Sequence, residues 1–211
     1  MNDQTLDPAI HIHELGSNAR AAAKGLLTAS TEAKNTALTA AAKALRDNQD
    51  ELLEANAKDV ASVEGKKPDS FIDRLKLTPD RIEGMASALE QIAELPDPVG
   101  RQLAQFDRPN GLKIERVAVP IGVIGVVFES RPDALVQIAS LCLKSGNAVL
   151  MKGGREAAES NRILAATITQ ATATVAGIPQ GWISLLETRD DVVAMRPSLS
   201  ELFFSPRTPF P

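Results

Sequence analysis

The sequence is poor in the residues that disulfide, metal and aromatic chemistry require. Among 211 residues there are one cysteine, one tryptophan, two histidines and no tyrosine. A single cysteine excludes a disulfide within the chain and predicts a protein of a reducing compartment, which indicates the cytoplasm. His11 and His13 are a pair without further ligands, and two imidazoles fall short of a tetrahedral site. We therefore predict no bound metal.

A strong excess of charge of one sign and a long hydrophobic run are also missing. The 23 basic and 27 acidic residues give a formal net charge of −4, which argues against a nucleic-acid partner. The longest apolar stretch, Val117 to Phe128, is interrupted by Pro120 and is too short to span a bilayer. The first residues include acids and no long apolar core, unlike a secretory signal. We expect a soluble protein without a membrane partner.

The residues that are present centre on the stretch 116–156. An apolar, β-branched run over Val123–Phe128 predicts a strand, a helical pattern begins at Asp133, and a second apolar run over Ala148–Met151 predicts another strand. Apolar runs without alternation suit parallel strands buried on both faces. The predicted fold class is therefore α/β, with helices packed on a partial doubly wound (Rossmann-like) parallel sheet.

Two loops, at residues 129–133 and 152–156, follow these strands. In a doubly wound sheet, ligands bind where strands end and helices begin. The second loop contains the pair Gly153 and Gly154, which would let the backbone pass close to a ligand. Lys152 and Arg155 flank the pair with positive charge. This pattern indicates a site for an anionic ligand.

The first hundred residues are predicted to be mainly helical. Residues 1–16 form a loose start, and residues 17–98 carry apolar stripes at helical spacing. Helix starts are predicted at three caps, namely Thr31, Asn48 in a capping box with Glu51, and Thr78 before Pro79, and a short helix is predicted over Asp69–Leu75.

The character of the chain changes after residue 98. Residues 99–119 alternate apolar and polar side chains around Asn110-Gly111, which predicts a β-hairpin with one buried face. Residues 120–188 form the βαβ core, with a further helix from Glu156 to Ala176 and a third strand near Gly181–Leu186. The proline-rich residues 189–211 do not continue this pattern.

Several blocks in this order resemble glutamate-5-semialdehyde dehydrogenases, also called γ-glutamyl phosphate reductases, of the aldehyde dehydrogenase superfamily. They are DRLKLTPDRIEGMA, LPDPVG, VPIGVIGVVFESRPD and SLCLKSGNAVLMKGGRE. The resemblance runs from Ala19 to the neighbourhood of Arg189. Since the family's chains are longer, we expect an amino-terminal part, and we expect the tail at 189–211 to reflect a truncation, a sequencing artefact or a shifted reading frame.

The resemblance implies reduction of L-glutamate 5-phosphate to L-glutamate 5-semialdehyde with NADPH and release of phosphate. This is the second step of proline biosynthesis from glutamate, after a glutamate 5-kinase. In the family, a cysteine thiolate displaces phosphate and hydride reduces the resulting thioester. That cysteine lies further along the family's chains. Cys142 is predicted instead to be buried in a helix and structural, so we expect this chain to be inactive alone.

The resemblance also assigns the cofactor loop. Lys152 matches the lysine that reaches the adenosine ribose, and Arg155 stands near the place of an acid that favours NAD. Two cations at this place favour the 2′-phosphate of NADP. The alternative is an ordinary solvated lysine and arginine at a helix start.

The first loop departs from the wider superfamily. Ser130-Arg131 replaces an aromatic residue and an asparagine that helps to hold the oxyanion. We assign Ser130 to the cofactor site and Arg131 to the phosphate of the substrate or the diphosphate of the cofactor, because a guanidinium suits phosphate oxygens. A structural salt bridge from Arg131 to Asp133 or Glu129 is an equal alternative.

In the family, the segment corresponding to 99–119 belongs to the β-element through which subunits pair, so we expect a homo-oligomer. The alternative is a surface hairpin. Two other functions stay open for the whole chain: a non-catalytic nucleotide-binding or assembly fragment, and a different aldehyde dehydrogenase that acts on a free aldehyde. The Ser130-Arg131 loop and the Lys152 and Arg155 pair argue against the second.

Overall fold

A computed structural model describes residues 8–186, 188 and 190–193. Within this part of the chain there are seven α-helices, five strands and one short 3₁₀ helix. The helices are α1 (Pro8–Leu26), α2 (Thr31–Asp47), α3 (Gln49–Val63), α4 (Asp69–Leu75), α5 (Pro79–Glu94), α6 (Pro132–Lys144) and α7 (Ala158–Ala173). The strands are β1 (Gln102–Asp107), β2 (Lys113–Val117), β3 (Val123–Val127), β4 (Ala148–Lys152) and β5 (Ile183–Leu185), and the 3₁₀ helix covers Arg155–Ala157.

Helix α1 begins earlier than the sequence predicted. Residues 8–16 are helical, so the loose start predicted to residue 16 is wrong from Pro8 onward. The reason is tertiary packing, because Ile12 on this first part of the helix is 1% exposed and joins the main core. Burial of one apolar side chain stabilises a helix whose local pattern is weak.

The predicted helix caps are only partly confirmed. Thr78 caps α5 as predicted, with its Oγ1 accepting from the backbone N–H of Arg81 at 3.2 Å. The cap of α2 is Ser30 rather than Thr31. The capping box at Asn48 is wrong, since the Asn48 side chain donates to the carbonyl of Ala44 at 2.8 Å in the preceding helix. The side-chain amide of Asn48 therefore binds the C-terminal end of α2 and does not cap α3.

The three strands of the core form a parallel sheet in the order β3-β4-β5, which confirms the predicted βαβ unit. All five residues of the central strand β4 are buried. Helices α1, α6 and α7 pack on this sheet, and α2, α3 and α5 pack in turn on α6 and α7. Helices α2, α3 and α5 therefore lie next to α6 and α7, the two helices that follow the loops after β3 and β4. None of the described helices is long and apolar enough to cross a bilayer.

The predicted hairpin is present, but its predicted buried face is not. β1 and β2 pair antiparallel, with Phe106 opposite Ile114, and Gly111 in the turn has a φ of 83°. Phe106 is 53% exposed and every residue of β2 is exposed. No other described part of the chain covers this ribbon, so its apolar residues meet solvent. The predicted tail at 189–211 lies almost wholly outside the described residues.

Candidate functional site

The loops after β3 and β4 lie side by side, as the sequence predicted. Val127 and Lys152 are partners in the parallel register, so both strands end at the same edge of the sheet. Ser130 is 8% exposed, and its hydroxyl donates to the Glu156 carboxylate at 2.8 Å. This hydrogen bond joins the two loops directly.

The glycine pair lies where the two loops pack against each other. A Cβ on Gly154 would lie 1.9 Å from Ser130 Oγ, and a Cβ on Gly153 would lie 2.3 Å from Asn161 Nδ2 and 3.0 Å from Phe128 Cζ. Neither glycine has a positive φ. The absence of a Cβ at both positions therefore allows the two loops to pack closely.

The two predicted cations differ in their surroundings. Lys152 is 9% exposed, and its Nζ donates to the carbonyl of Gly153 at 2.6 Å, which leaves two ammonium N–H groups for other acceptors. Arg155 is exposed and has no ion-pair partner among the described residues. One buried and one exposed cation therefore flank the glycine pair, a donor set that suits an anionic ligand.

The N-terminus of α7, which follows this loop, is already occupied. The carboxylate of Asp59 on α3 accepts from the backbone N–H groups of Glu159 at 3.2 Å and Ser160 at 2.8 Å. These are amides that a bound anion would use. An anion at the loop therefore has to be held by side chains.

One further residue, from outside the predicted loops, lies at the same place. Lys67, in the turn between α3 and α4, forms an ion pair with Glu156 at 3.2 Å. The hydrogen bond from Ser130, a backbone hydrogen bond and the charge of Lys67 lower the pKa of Glu156 to about 2. Lys67 is distant in the chain, and the only local signal is its place in a Lys-Lys-Pro turn. The sequence could not place it here.

Arg131 lies at a separate cavity. Its Nη2 is 3.1 Å from the Asp133 carboxylate, so the alternative salt bridge is present. Both residues line a cavity of about 490 Å³ between α4, α5 and α6. This cavity also has Arg74, Lys76 and Arg81 in its wall. None of residues 152–155 lines this cavity, although Ser130, the neighbour of Arg131 in the chain, packs on Gly154.

Cys142 is buried, as predicted. It is 7% exposed, and burial raises the pKa of its thiol to about 11. His13 is exposed on α1, whereas the side chain of His11 lies outside the described residues. In the described part of the chain, no group of three or more histidine, cysteine and acidic side chains is arranged to hold a metal ion.

The comparison with known proteins supplies the family. The sequence profile of the aldehyde dehydrogenase family matches residues 6–196. This chain belongs to that family. The chain is 65% identical over 190 residues to gamma-glutamyl phosphate reductase of Erythrobacter litoralis. The aligned residues cover 90% of this chain and 45% of that protein. It is 50% identical over 184 residues to the enzyme of the same name from Beijerinckia indica, covering 87% and 42%.

Solved structures agree with the predicted fold class. Gamma-glutamyl phosphate reductase of Thermotoga maritima matches with a TM-score of 0.84 and 38% identity, covering 90% of this chain and 45% of that one. A probable aldehyde dehydrogenase of Listeria monocytogenes matches with a TM-score of 0.68 at 18% identity, which shows the fold alone. The predicted resemblance is confirmed. The chain spans less than half the length of these relatives.

Proposed function

We propose that this chain is the nucleotide-binding part of an oxidoreductase that reduces L-glutamate 5-phosphate to L-glutamate 5-semialdehyde with NADPH. The reaction releases phosphate and serves proline biosynthesis from glutamate, after a glutamate 5-kinase. The observation that carries the proposal is the 65% identity to a gamma-glutamyl phosphate reductase over 90% of this chain. The single cysteine favours a cytoplasmic location.

The loop at 152–156 is proposed to hold NADPH. Lys152 would donate to the adenosine ribose with the two N–H groups that Gly153 leaves, and Arg155 would bind the 2′-phosphate. Ser130, Gly153 and Gly154 would fix the shape of the loop through their close packing. When bound, NADPH supplies the hydride, and these residues bind and orient it.

The nucleophile for the proposed reaction is not Cys142. Displacement of phosphate needs an accessible thiolate, and a buried thiol with a pKa of about 11 is neither accessible nor ionised. No other cysteine occurs in the 211 residues. We therefore propose that these residues bind nucleotide without turnover, and that the thiol comes from chain outside them.

A chimera tests this function. Residues 1–186 of this chain would be joined to the following part of the Erythrobacter relative, and NADP reduction by glutamate 5-semialdehyde would be measured with and without inorganic phosphate. We expect turnover that requires phosphate in the chimera and none in the 211-residue chain. Phosphate-independent oxidation of free aldehydes would favour the other aldehyde dehydrogenase reaction. An inactive, folded chimera would favour the non-catalytic fragment.

Arg131 is proposed to neutralise the phosphate of the substrate from the cavity between α5 and α6. The cavity wall holds three further cations and three carboxylates, so that its lining, with Arg131, carries a net charge of +1. Arg131 is paired with Asp133, and Arg81 with Asp73. The positive charge of Arg74 and Lys76 supports this placement. In the chimera, Arg131→Ala should raise the KM for phosphate about tenfold, the loss of one charge-assisted contact. An unchanged KM would leave Arg131 with the structural salt bridge alone.

The hairpin at 99–119 is proposed to pair with a second copy of the chain. It exposes apolar side chains in its strands and its turn, including Phe106 at 53%, Leu112 at 54% and Ile114 at 39%. Such a surface is typical of an interface. Sedimentation should show an oligomer that Phe106→Asp dissociates and Gln105→Asp does not. A monomeric wild type would support the ordinary surface hairpin.

A further inference from the structure

We infer that Lys67 determines the preference of this site for a nucleotide with a 2′-phosphate. This inference rests on the proposed NADPH function and adds to it a residue from outside the βαβ core. Lys67 belongs to the turn between α3 and α4, whereas the cofactor loop follows β4.

Three contacts connect Lys67 to the loop. Its Nζ lies 3.2 Å from Glu156 Oε1, and Glu156 Oε2 accepts from Ser130 Oγ at 2.8 Å. Ser130 in turn packs directly on Gly154, where a Cβ would be 1.9 Å from its Oγ. The ammonium group is therefore at the edge of the loop that Lys152 and Arg155 flank.

The charges around the loop explain why this lysine matters. Without Lys67, Glu156 would present an uncompensated carboxylate beside the proposed ribose site. A carboxylate there accepts a hydrogen bond from a ribose 2′-hydroxyl and repels a 2′-phosphate. With Lys67 on one carboxylate oxygen and Ser130 on the other, both oxygens have donors. The formal charges around the loop then add to +2, from Lys67, Lys152, Arg155 and Glu156. This charge balances that of a phosphate dianion.

The Lys67 ammonium also keeps N–H donors beyond the one that Glu156 accepts. Its side chain is 40% exposed, and its ammonium lies 5.0 Å from the centre of the Phe71 ring. The ion pair with Glu156 uses one of three N–H groups, and the contact with the ring face is an electrostatic attraction to the positive charge. Phe71 and Glu156 thus hold the ammonium in place while it can donate to a phosphate oxygen.

The test compares two nucleotides that differ only in the 2′-phosphate, adenosine 2′,5′-bisphosphate and adenosine 5′-monophosphate. Their dissociation constants for the 211-residue chain would be measured by calorimetry. Lys67→Met keeps an apolar stem on Phe71 and removes the charge. Lys66→Met is the matched control, because Lys66 is the neighbouring lysine and donates to the Ser62 carbonyl at 2.9 Å instead.

We expect Lys67→Met to weaken binding of the bisphosphate about tenfold and to change binding of the monophosphate less than about twofold, as for one charge-assisted contact. Lys66→Met should change neither, and Lys67→Arg should keep the preference. Glu156→Gln should weaken bisphosphate binding less than Lys67→Met does, since it removes a repelling charge while Phe71 still contacts the ammonium group. Urea unfolding, followed by the fluorescence of Trp182, would establish that each variant is folded.

The outcomes separate this inference from the function beneath it. If the wild type prefers the bisphosphate and Lys67→Met behaves like Lys66→Met, Lys67 is not a specificity residue, although the NADPH proposal stands. If Glu156→Gln weakens bisphosphate binding as much as Lys67→Met does, the ion pair acts on loop structure and the inference is wrong. If the wild type shows no preference, the NADPH proposal fails and this inference with it.

Discussion

The carboxylate of Asp59 caps helix α7 from a different helix, accepting from Ser160 N at 2.8 Å and Ser160 Oγ at 2.7 Å. Asp59 lies on α3 and is 4% exposed. Asn56, one turn earlier on α3, donates to the same Ser160 hydroxyl at 3.0 Å. The helical segment thereby fixes the start of the helix that follows the proposed cofactor loop.

Asp59→Ala should destabilise the fold by about 2–3 kcal/mol, because it removes an N-cap and leaves buried donors unpaired. Urea unfolding, monitored by the single tryptophan Trp182, measures this change. The control is Asp50→Ala, at an exposed position in the first turn of α3, which should cost less than about 0.5 kcal/mol. Equal effects at the two positions would contradict the capping role.

Gly154→Ala should destabilise the fold by about 1–3 kcal/mol, as overpacking does, because its Cβ would overlap Ser130 Oγ. Gly84→Ala offers a contrast. Gly84 lies within α5, a Cβ there meets nothing within 4 Å, and the change should stabilise by about 0.5–1 kcal/mol. Denaturant midpoints of both variants, compared with wild type, measure the difference. A neutral Gly154→Ala would mean that the two loops separate easily.

The free energy of unfolding should depend on pH through the ionisation of Glu156. Its pKa in the folded chain, about 2, is below the ordinary value of 4.5, so its contribution is present above about pH 4.5 and is lost as the pH falls towards 2. At neutral pH, Glu156→Gln should cost about 1 kcal/mol, since partial exposure weakens the interaction. Urea unfolding at several pH values should show the difference shrinking in acid.

The exposed Glu94 supplies a control for this titration, because Glu94→Gln neutralises a charge away from the loop. Its stability difference should stay small across the same pH range. A Glu156→Gln difference that does not change with pH would show that the carboxylate charge has no stabilising partner in the folded chain.

Cys142 should react slowly with a disulfide reagent such as 5,5′-dithiobis(2-nitrobenzoate). The thiol is 7% exposed with a pKa of about 11, so only about a thousandth is thiolate at pH 8. Labelling of the folded chain should therefore follow its unfolding rate, and labelling in denaturing guanidinium should be fast. Rapid labelling of the folded chain would contradict the buried, structural role.

Elements with local signals could be predicted from the amino-acid sequence. The apolar runs of β3 and β4 and the Thr78-Pro79 start of α5 were predicted because hydrophobic periodicity and caps act within a few residues. The family resemblance followed from blocks in the same order. These signals were enough to predict the fold class and the two loops that meet at the edge of the sheet.

Which distant residues share that edge depends on contacts between elements and could not be predicted from local patterns. Lys67 and Asp59 reach the loop region because α3 packs against α7 and the 3₁₀ helix, a pairing that no local pattern encodes. The requirement for glycine at positions 153 and 154 likewise depends on Ser130 and Asn161, which approach from other elements. Contacts between elements set the charge and the shape of the site, because electrostatic and packing forces act through space rather than along the chain.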